Sequence, residues 1–218
     1  MKEVCSNLQI NSKLKNVLEW VACIVTAIIL ALLVKYFIAT PTIVKSVSMY
    51  PTLIENQRLL LNRVARTFHS DLKRGEIVTF EEPSNLQPSS SKVNNQNPIA
   101  EYNYKPSSLI DSFFYYVIEN TKTSFIKRVI ALPGEHVEIK YGKVYVNGEM
   151  LDEPYLQDNI ETEGNLNDFI VPDGTVFLMG DNRENSLDCR TFGCIPFEKI
   201  ESKVWIRIWP LNLFGKVE

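Results

Sequence analysis

Residues Val17 to Val34 read VLEWVACIVTAIILALLV, and if Lys35 lays its stem along apolar surface the run continues through Tyr36, Phe37 and Ile38. A segment of this length and composition can cross the roughly 30 Å hydrocarbon core of a bilayer as a helix. A cleaved secretory signal would also begin with basic residues (here Lys2, Lys13 and Lys15) followed by an apolar core. Cleavage after Ala39, however, would set Phe37 where a small residue is needed, so we expect a retained anchor. The lysines favour a cytoplasmic tail at 1–16, a transmembrane anchor at 17–38 and an extracytoplasmic domain at 39–218, because Lys2, Lys13 and Lys15 outnumber Lys35 and Lys45.

The chain beyond the anchor is long enough for one sizeable domain, and 45% hydrophobic residues supply a core. A net charge of -3 gives no polycationic footprint, which argues against nucleic acid as a partner. Of the four cysteines, Cys5 would be cytosolic and Cys23 lies within the span, leaving Cys189 and Cys194 in the large domain, where a disulfide and two free thiols both fit. The sequence holds no CxxC and no HExxH, so neither a metal nor another cofactor is expected.

Thr40 to Lys45 is β-branched and extended, and QRLLLNRV (57–64) and EIVTF (76–80) read as strands, with Lys73-Arg74-Gly75 turning into the second. SFIKRVIAL (124–132) is another strand, ended by Pro133-Gly134-Glu135. Val137–Lys140 and Lys143–Val146 make a hairpin about Tyr141-Gly142, Asn147-Gly148 signals a further turn, and TVFLM (175–179) and VWIRIW (204–209) complete the set. The expected fold is therefore mainly β, a single N-terminal membrane helix followed by a domain of coiled antiparallel sheets. Residues 82–123 interrupt it as a Ser/Asn/Pro-rich insertion, expected to be mobile. Its aromatic end, Phe113 to Tyr116, would pack on the domain or touch lipid headgroups, with packing the preferred reading.

Three stretches carry residues suited to chemistry. Ser46-Val47-Ser48-Met49-Tyr50-Pro51-Thr52-Leu53 presents serines soon after the membrane span, and the chain has only two histidines to serve as a base. In SFIKRVIAL, alternation puts Lys127 on one face with Phe125, Val129 and Ala131, and Arg128 on the other. An ordinary lysine, with a pKa of about 10.4, is neutral less than ~1% of the time at pH 8. Tuning it to about 7 to 8 takes about 3 to 4 kcal/mol of environmental bias, which burial supplies. Arginine does not deprotonate in proteins, so of this pair only Lys127 can act as a base. Against this stands the ordinary strand lysine that snorkels or pairs. The third stretch, GDNRENSLDCR (180–190), suits a tightly hydrogen-bonded loop in which Asp181, Arg183, Glu184, Asp188 and Arg190 would pair internally.

Together, Ser48-Met49-Tyr50-Pro51-Thr52-Leu53, then Lys127-Arg128-Val129-Ile130-Ala131-Leu132-Pro133-Gly134-Glu135, then Gly180 to Arg190 resemble, in order and spacing, the type I (leader) signal peptidase family. Arg74-Gly75-Glu76-Ile77-Val78 looks like its lesser block. The resemblance implies a Ser-Lys dyad, with Ser48 the nucleophile and Lys127 the general base. It implies an oxyanion held by the Ser48 N–H with help from the Ser46 hydroxyl, Ser186 orienting the lysine, an Asp188–Arg190 ion pair, and Asp181 and Arg183 holding the loop. It further implies substrates that are exported preproteins with cleavable signal peptides, a cell-membrane location in contact with the lipid bilayer, and work beside the protein export machinery. The chain departs from the family at Cys189, where serine is common, at Val47 and in the long insertion; none of these removes a catalytic group.

Other readings are a Ser-His-Asp hydrolase using His69 or His136, which lacks the GxSxG elbow, and a dedicated or self-processing Ser-Lys peptidase like the LexA-type repressor proteases. A non-catalytic membrane-anchored assembly factor on the same fold is a third. The last would be expected to have lost Ser48 or Lys127, and both are present.

Overall fold

The computed structural model describes residues 2–64, 72–84, 86, 98–119, 122–164 and 166–217, with side chains in the first helix from Leu14 onward. That helix, α1 (Lys2–Phe37), starts well before the apolar run, so the expected tail at 1–16 is largely helical. Within its segment Leu14–Phe37 the most apolar stretch of 18 residues has a mean hydropathy of 2.7, and none of that stretch is buried against the domain. At 1.5 Å per residue these 24 residues extend about 36 Å, enough to cross a bilayer. The helix stops where Thr40 Oγ1 donates to the freed carbonyl of Lys35 at 2.9 Å, one residue before Pro41.

With little intervening chain, α1 runs into β1 (Ala39–Ile43), which pairs antiparallel with β2 (Arg58–Asn62). Pro41 is tolerated there because β1 is an edge strand, where a missing N–H costs no ladder bond. The remaining strands of the large sheet are β3 (Ile77–Glu81), β4 (Ser124–Ala131), β9 (Thr175–Met179), β10 (Ile195–Pro196) and β11 (Ile200–Trp209). They follow the order β1-β2-β11-β3-β4-β9-β10. A second sheet, ordered β7-β6-β5-β8, contains β5 (His136–Lys140), β6 (Lys143–Val146), β7 (Glu149–Met150) and β8 (Asp168–Ile170). Its two hairpin turns place Tyr141-Gly142 and Asn147-Gly148 at positive φ, the pair of left-handed residues that a tight hairpin of native twist requires. The mainly β expectation holds; β7, β8 and β10 are additional strands of two or three residues.

The core lies between the sheets. Val137, Val144 and Phe169 from the small sheet pack with Phe80, Val129 and Phe177 from the large one, and the Phe169 and Phe177 rings are 4.9 Å apart. A smaller cluster of Val44, Met49, Leu53, Leu59, Leu61 and Ile77 underlies the Ser46–Leu53 stretch.

The 82–123 insertion does not behave uniformly. Of it, 85, 87–97, 120 and 121 lie outside the described residues. The segment around Ile99 is tied in rather than mobile: Ala100 N–H donates to Cys194 O at 2.9 Å, Cys194 N–H donates to Pro98 O at 2.6 Å, and Ala100 is buried. Further on, α2 (Leu109–Phe113) continues as a π-helical turn, Phe114–Ile118. The aromatic end divides, with Tyr115 buried and Phe113 and Phe114 exposed, so packing on the domain accounts for only part of it.

Phe177 is fully buried at the junction of the sheets. Phe177→Ala should therefore destabilise the domain by about 3 to 5 kcal/mol, read as a lower urea midpoint of the full chain in detergent. An unchanged midpoint would mean that this junction contributes little to the fold.

Candidate functional site

Ser48 sits in a single 3-10 turn, Val47–Met49, capped by Ser46, whose Oγ accepts the Ser48 N–H at 3.2 Å. Met49 and Leu53 are buried in the cluster beneath the turn, so the apolar residues of the stretch anchor it. From above, the loop after β9 holds the turn: Asn182 N–H donates to Ser48 O at 3.0 Å and Asn182 Nδ2 donates to Val47 O at 3.2 Å. Gly180 permits this approach, because a Cβ there would collide with the Ser186 hydroxyl and the Ser48 carbonyl.

Lys127 reaches the same point from β4, where it pairs with Val78 of β3. Its Nζ lies 2.8 Å from Ser48 Oγ and 3.1 Å from Ile126 O. Only 3% of Lys127 is exposed. Burial brings its pKa down to about 8, against the upward pull of Asp188, Cys189 and Asp181 and with some help from Arg190. The amine is thus poised to exchange a proton with the serine near neutral pH.

Arg128 points to the other face of β4 and is equally buried, but its charge is fully matched. Nε and Nη2 donate to the two oxygens of Asp181 at 2.9 and 2.7 Å, Nη1 donates to Gly75 O at 2.8 Å, and the guanidinium lies 4.0 Å from the centre of the Tyr155 ring. Thr52 Oγ1 adds a third donor to Asp181 at 2.6 Å, linking this pair back to the serine turn.

Of the charged groups expected to pair within the Gly180–Arg190 loop, only Asp188 and Arg190 do so. Arg190 Nε donates to Asp188 Oδ1 at 2.8 Å and Nη2 to Oδ2 at 2.9 Å. Asp181 pairs with Arg128 instead, and Arg183 pairs with Glu153 and with Thr162. Asp188 and Arg190 meet because Asp188 caps the helical turn Cys189–Phe192, whereas Asp181 and Arg183 find their partners on neighbouring elements. A second difference concerns Ser186: its Oγ donates to Asp188 Oδ2 at 2.7 Å, whereas Lys127 directs its hydrogen bonds at Ser48 and Ile126. Ser186 therefore fixes a carboxylate behind the lysine and leaves the amine unbonded by its own hydroxyl. Although burial opposes the charge, the Arg190 pair, the Gly180 N–H and the Ser186 hydroxyl hold Asp188 below the usual carboxylate range.

Cys189 and Cys194 are both buried and free. Burial pushes the Cys194 thiol up to about 12 and that of Cys189 well above its ordinary value. His136 bonds Asp168 at 2.8 Å across the small sheet, and His69 lies outside the described residues.

Ser48 and Lys127 open into a cleft of about 510 Å³. Its lining includes Thr42, Val44 and Ser46 from the chain before the serine turn and Ser124, Ile126 and Lys127 from β4. β9 joins β4 only at Arg128, Val129 and Ala131, so among the described strands none pairs with the cleft-facing edge of β4 from Ser124 to Lys127. An extended peptide can add to that edge and carry its carbonyl to Ser48. A larger hollow of about 1010 Å³ beside the Tyr141 turn contains neither Ser48 nor Lys127.

A family model described as signal peptidase, peptidase S26, matches residues 17–209. The chain is 34% identical over 211 residues to the probable signal peptidase I-1 of Synechocystis sp., covering 97% of this chain and 92% of that protein. It is 34% identical to signal peptidase I S of Bacillus subtilis, covering 94% and 96% of the two chains. With signal peptidase IB of Staphylococcus aureus it shares 30% identity over 92% of this chain and 93% of the other.

Asp181→Asn would leave the Arg128 charge buried with half of its partner removed. The expected cost is about 3 to 5 kcal/mol of folding stability, measured by denaturant unfolding. A variant as stable as the parent would show that Gly75 O and the Tyr155 ring suffice to hold Arg128.

Proposed function

Because the chain belongs to the signal peptidase family, peptidase S26, we propose that it is a membrane-anchored serine endopeptidase that removes N-terminal signal peptides from exported preproteins. The observation that carries this reading is the 2.8 Å contact between Ser48 Oγ and a buried Lys127 whose pKa lies near 8. Ser48 Oγ attacks the carbonyl carbon of the scissile bond while neutral Lys127 takes its proton. The oxyanion that forms is held by the Ser48 N–H, and the Ser46 hydroxyl turns from accepting that N–H to donating to the oxyanion. Collapse of the tetrahedral intermediate breaks the C–N bond, and Lys127 returns the proton to the leaving amine, the new N-terminus of the mature protein. Lys127 then deprotonates a water that cleaves the acyl-enzyme and restores Ser48.

Strand periodicity sends the first and third side chains before the cut to the same side, into a cleft whose lining includes Met49, Val44 and Ile126, and the family resemblance implies small residues, typically alanine, at these two positions. Asp188, Arg190, Asp181 and Arg183 act as supports, as does Ser186 through Asp188. On this reading the N-terminus is cytoplasmic, the domain at 39–218 lies outside the cell membrane, and substrates arrive from the protein export machinery. The direct entry of α1 into β1 supports it by keeping the cleft close to the bilayer surface, where signal peptides end.

Ser48→Ala, Lys127→Ala and Lys127→Arg should each lower preprotein cleavage at least ~10³-fold, the arginine because it retains charge but cannot become a base. Ser46→Ala should lose about 10²-fold in kcat. Cleavage products read by mass spectrometry check this, and parental rates in Ser48→Ala would defeat the assignment. The neutral fraction of Lys127 grows as pH passes upward through about 8, so the rate should climb with pH and level off above it. A profile flat from about pH 6 to 10 would contradict a lysine base.

A further inference from the structure

The segment Leu109–Ile118, LIDSFFYYVI, takes no part in the peptidase site, yet it presents apolar side chains outward. Leu109 is 91% exposed, Ile110 73%, Phe113 44% and Phe114 46%. Their spacing, i, i+1, i+4 and i+5, puts all four on one side of the helix. The only charge in the segment, Asp111, is occupied at the helix start, where its carboxylate accepts from Ser107 N–H and from Tyr104 OH, each at 2.9 Å. Tyr115 turns the other way, buried against the domain, its ring centre 4.7 Å from that of Tyr104 and tilted by 35°.

The far end is fixed to the membrane helix. Lys35 Nζ, in the last turn of α1, donates to Val117 O at 3.1 Å and Ile118 O at 2.9 Å, the carbonyls left open at the end of the segment. Glu119, just beyond, pairs through both oxygens with Arg63 at 2.7 and 2.6 Å. The apolar stripe is thus held beside the point where α1 passes from its apolar run into the domain, although 82 residues separate Lys35 from Val117.

We infer that Leu109–Ile118 is a second membrane contact, a short helix lying in the interfacial layer of the bilayer next to the exit of α1. It is too short to cross, since a span needs about 20 residues, and its aromatic side chains suit the headgroup boundary. A contiguous exposed patch of four large apolar side chains calls for a partner, and the lipid surrounding α1 is the partner continuous with it. The inference rests on the reading of α1 as a membrane span.

The test uses the full chain with benzoylphenylalanine placed by Ile110→benzoylphenylalanine or Phe113→benzoylphenylalanine. Each variant is reconstituted with a preprotein in phosphatidylethanolamine/phosphatidylglycerol vesicles and irradiated, and the adducts are weighed by mass spectrometry. Retained cleavage of a soluble peptide in detergent shows that each variant is folded. The same probe at Ile28 in α1 reports the anchor, and at Tyr141, on the hairpin tip, it reports the aqueous surface. Phospholipid adducts at 110 and 113 at least about tenfold above those at 141 are expected. Lipid adducts at 28 alone would overturn the inference while leaving the anchor intact, and none at 28 would remove the anchor reading itself. Adducts to the preprotein or to a second copy of the chain, in place of lipid, would also overturn it.

Discussion

A buried amine stays near neutrality only if every carboxylate close to it is already taken, and the site is built around this constraint. Asp188 and Asp181 are the carboxylates whose charge raises Lys127's proton affinity against the burial that lowers it. Asp188 receives Arg190, Ser186 and the Gly180 N–H; Asp181 receives Arg128 and Thr52. With those oxygens saturated, Lys127 directs its bonds to Ser48 and a backbone carbonyl. The two neighbours on β4 therefore have opposite environments: one cation is matched so that the other can be deprived.

The same saturated groups give the serine turn its position. Thr52 and Asn182 join the turn to the loop after β9, and Arg207 Nη2 donates to Thr52 O at 2.7 Å from β11. Nucleophile and base thus come from distant stretches of sequence but share one hydrogen-bonded frame.

How much of this can be read from the residues depends on range. The β4 alternation, the turns at Tyr141-Gly142 and Asn147-Gly148 and the apolar run of α1 are local patterns, and all appear in the structure. The motif order points to Ser48 and Lys127 as a pair, and the structure brings them together. Partners across the fold are not legible: nothing near Asp181 in sequence announces Arg128, and nothing near Arg183 announces Glu153. A hydroxyl at Ser186 suits an amine such as Lys127, yet Asp188, two residues away, is the better acceptor and takes the bond. Strands β7, β8 and β10 are too short to show a period, and the Ser/Asn/Pro composition of 82–123 masks its ties to Cys194 and Lys35.

The unpaired edge of β4 makes the cleft a gauge of chain shape. Among the described strands none pairs with this edge from Ser124 to Lys127, so a segment of chain completes the ladder there only if it lies extended beside it. A helix or a folded domain has its backbone groups already paired, so it could not complete this edge until it unwinds. On the proposed function, the timing of cleavage would then be set by the substrate: the cut would be made while the junction is stretched, and a mature domain that folds up to its first residue would close the window.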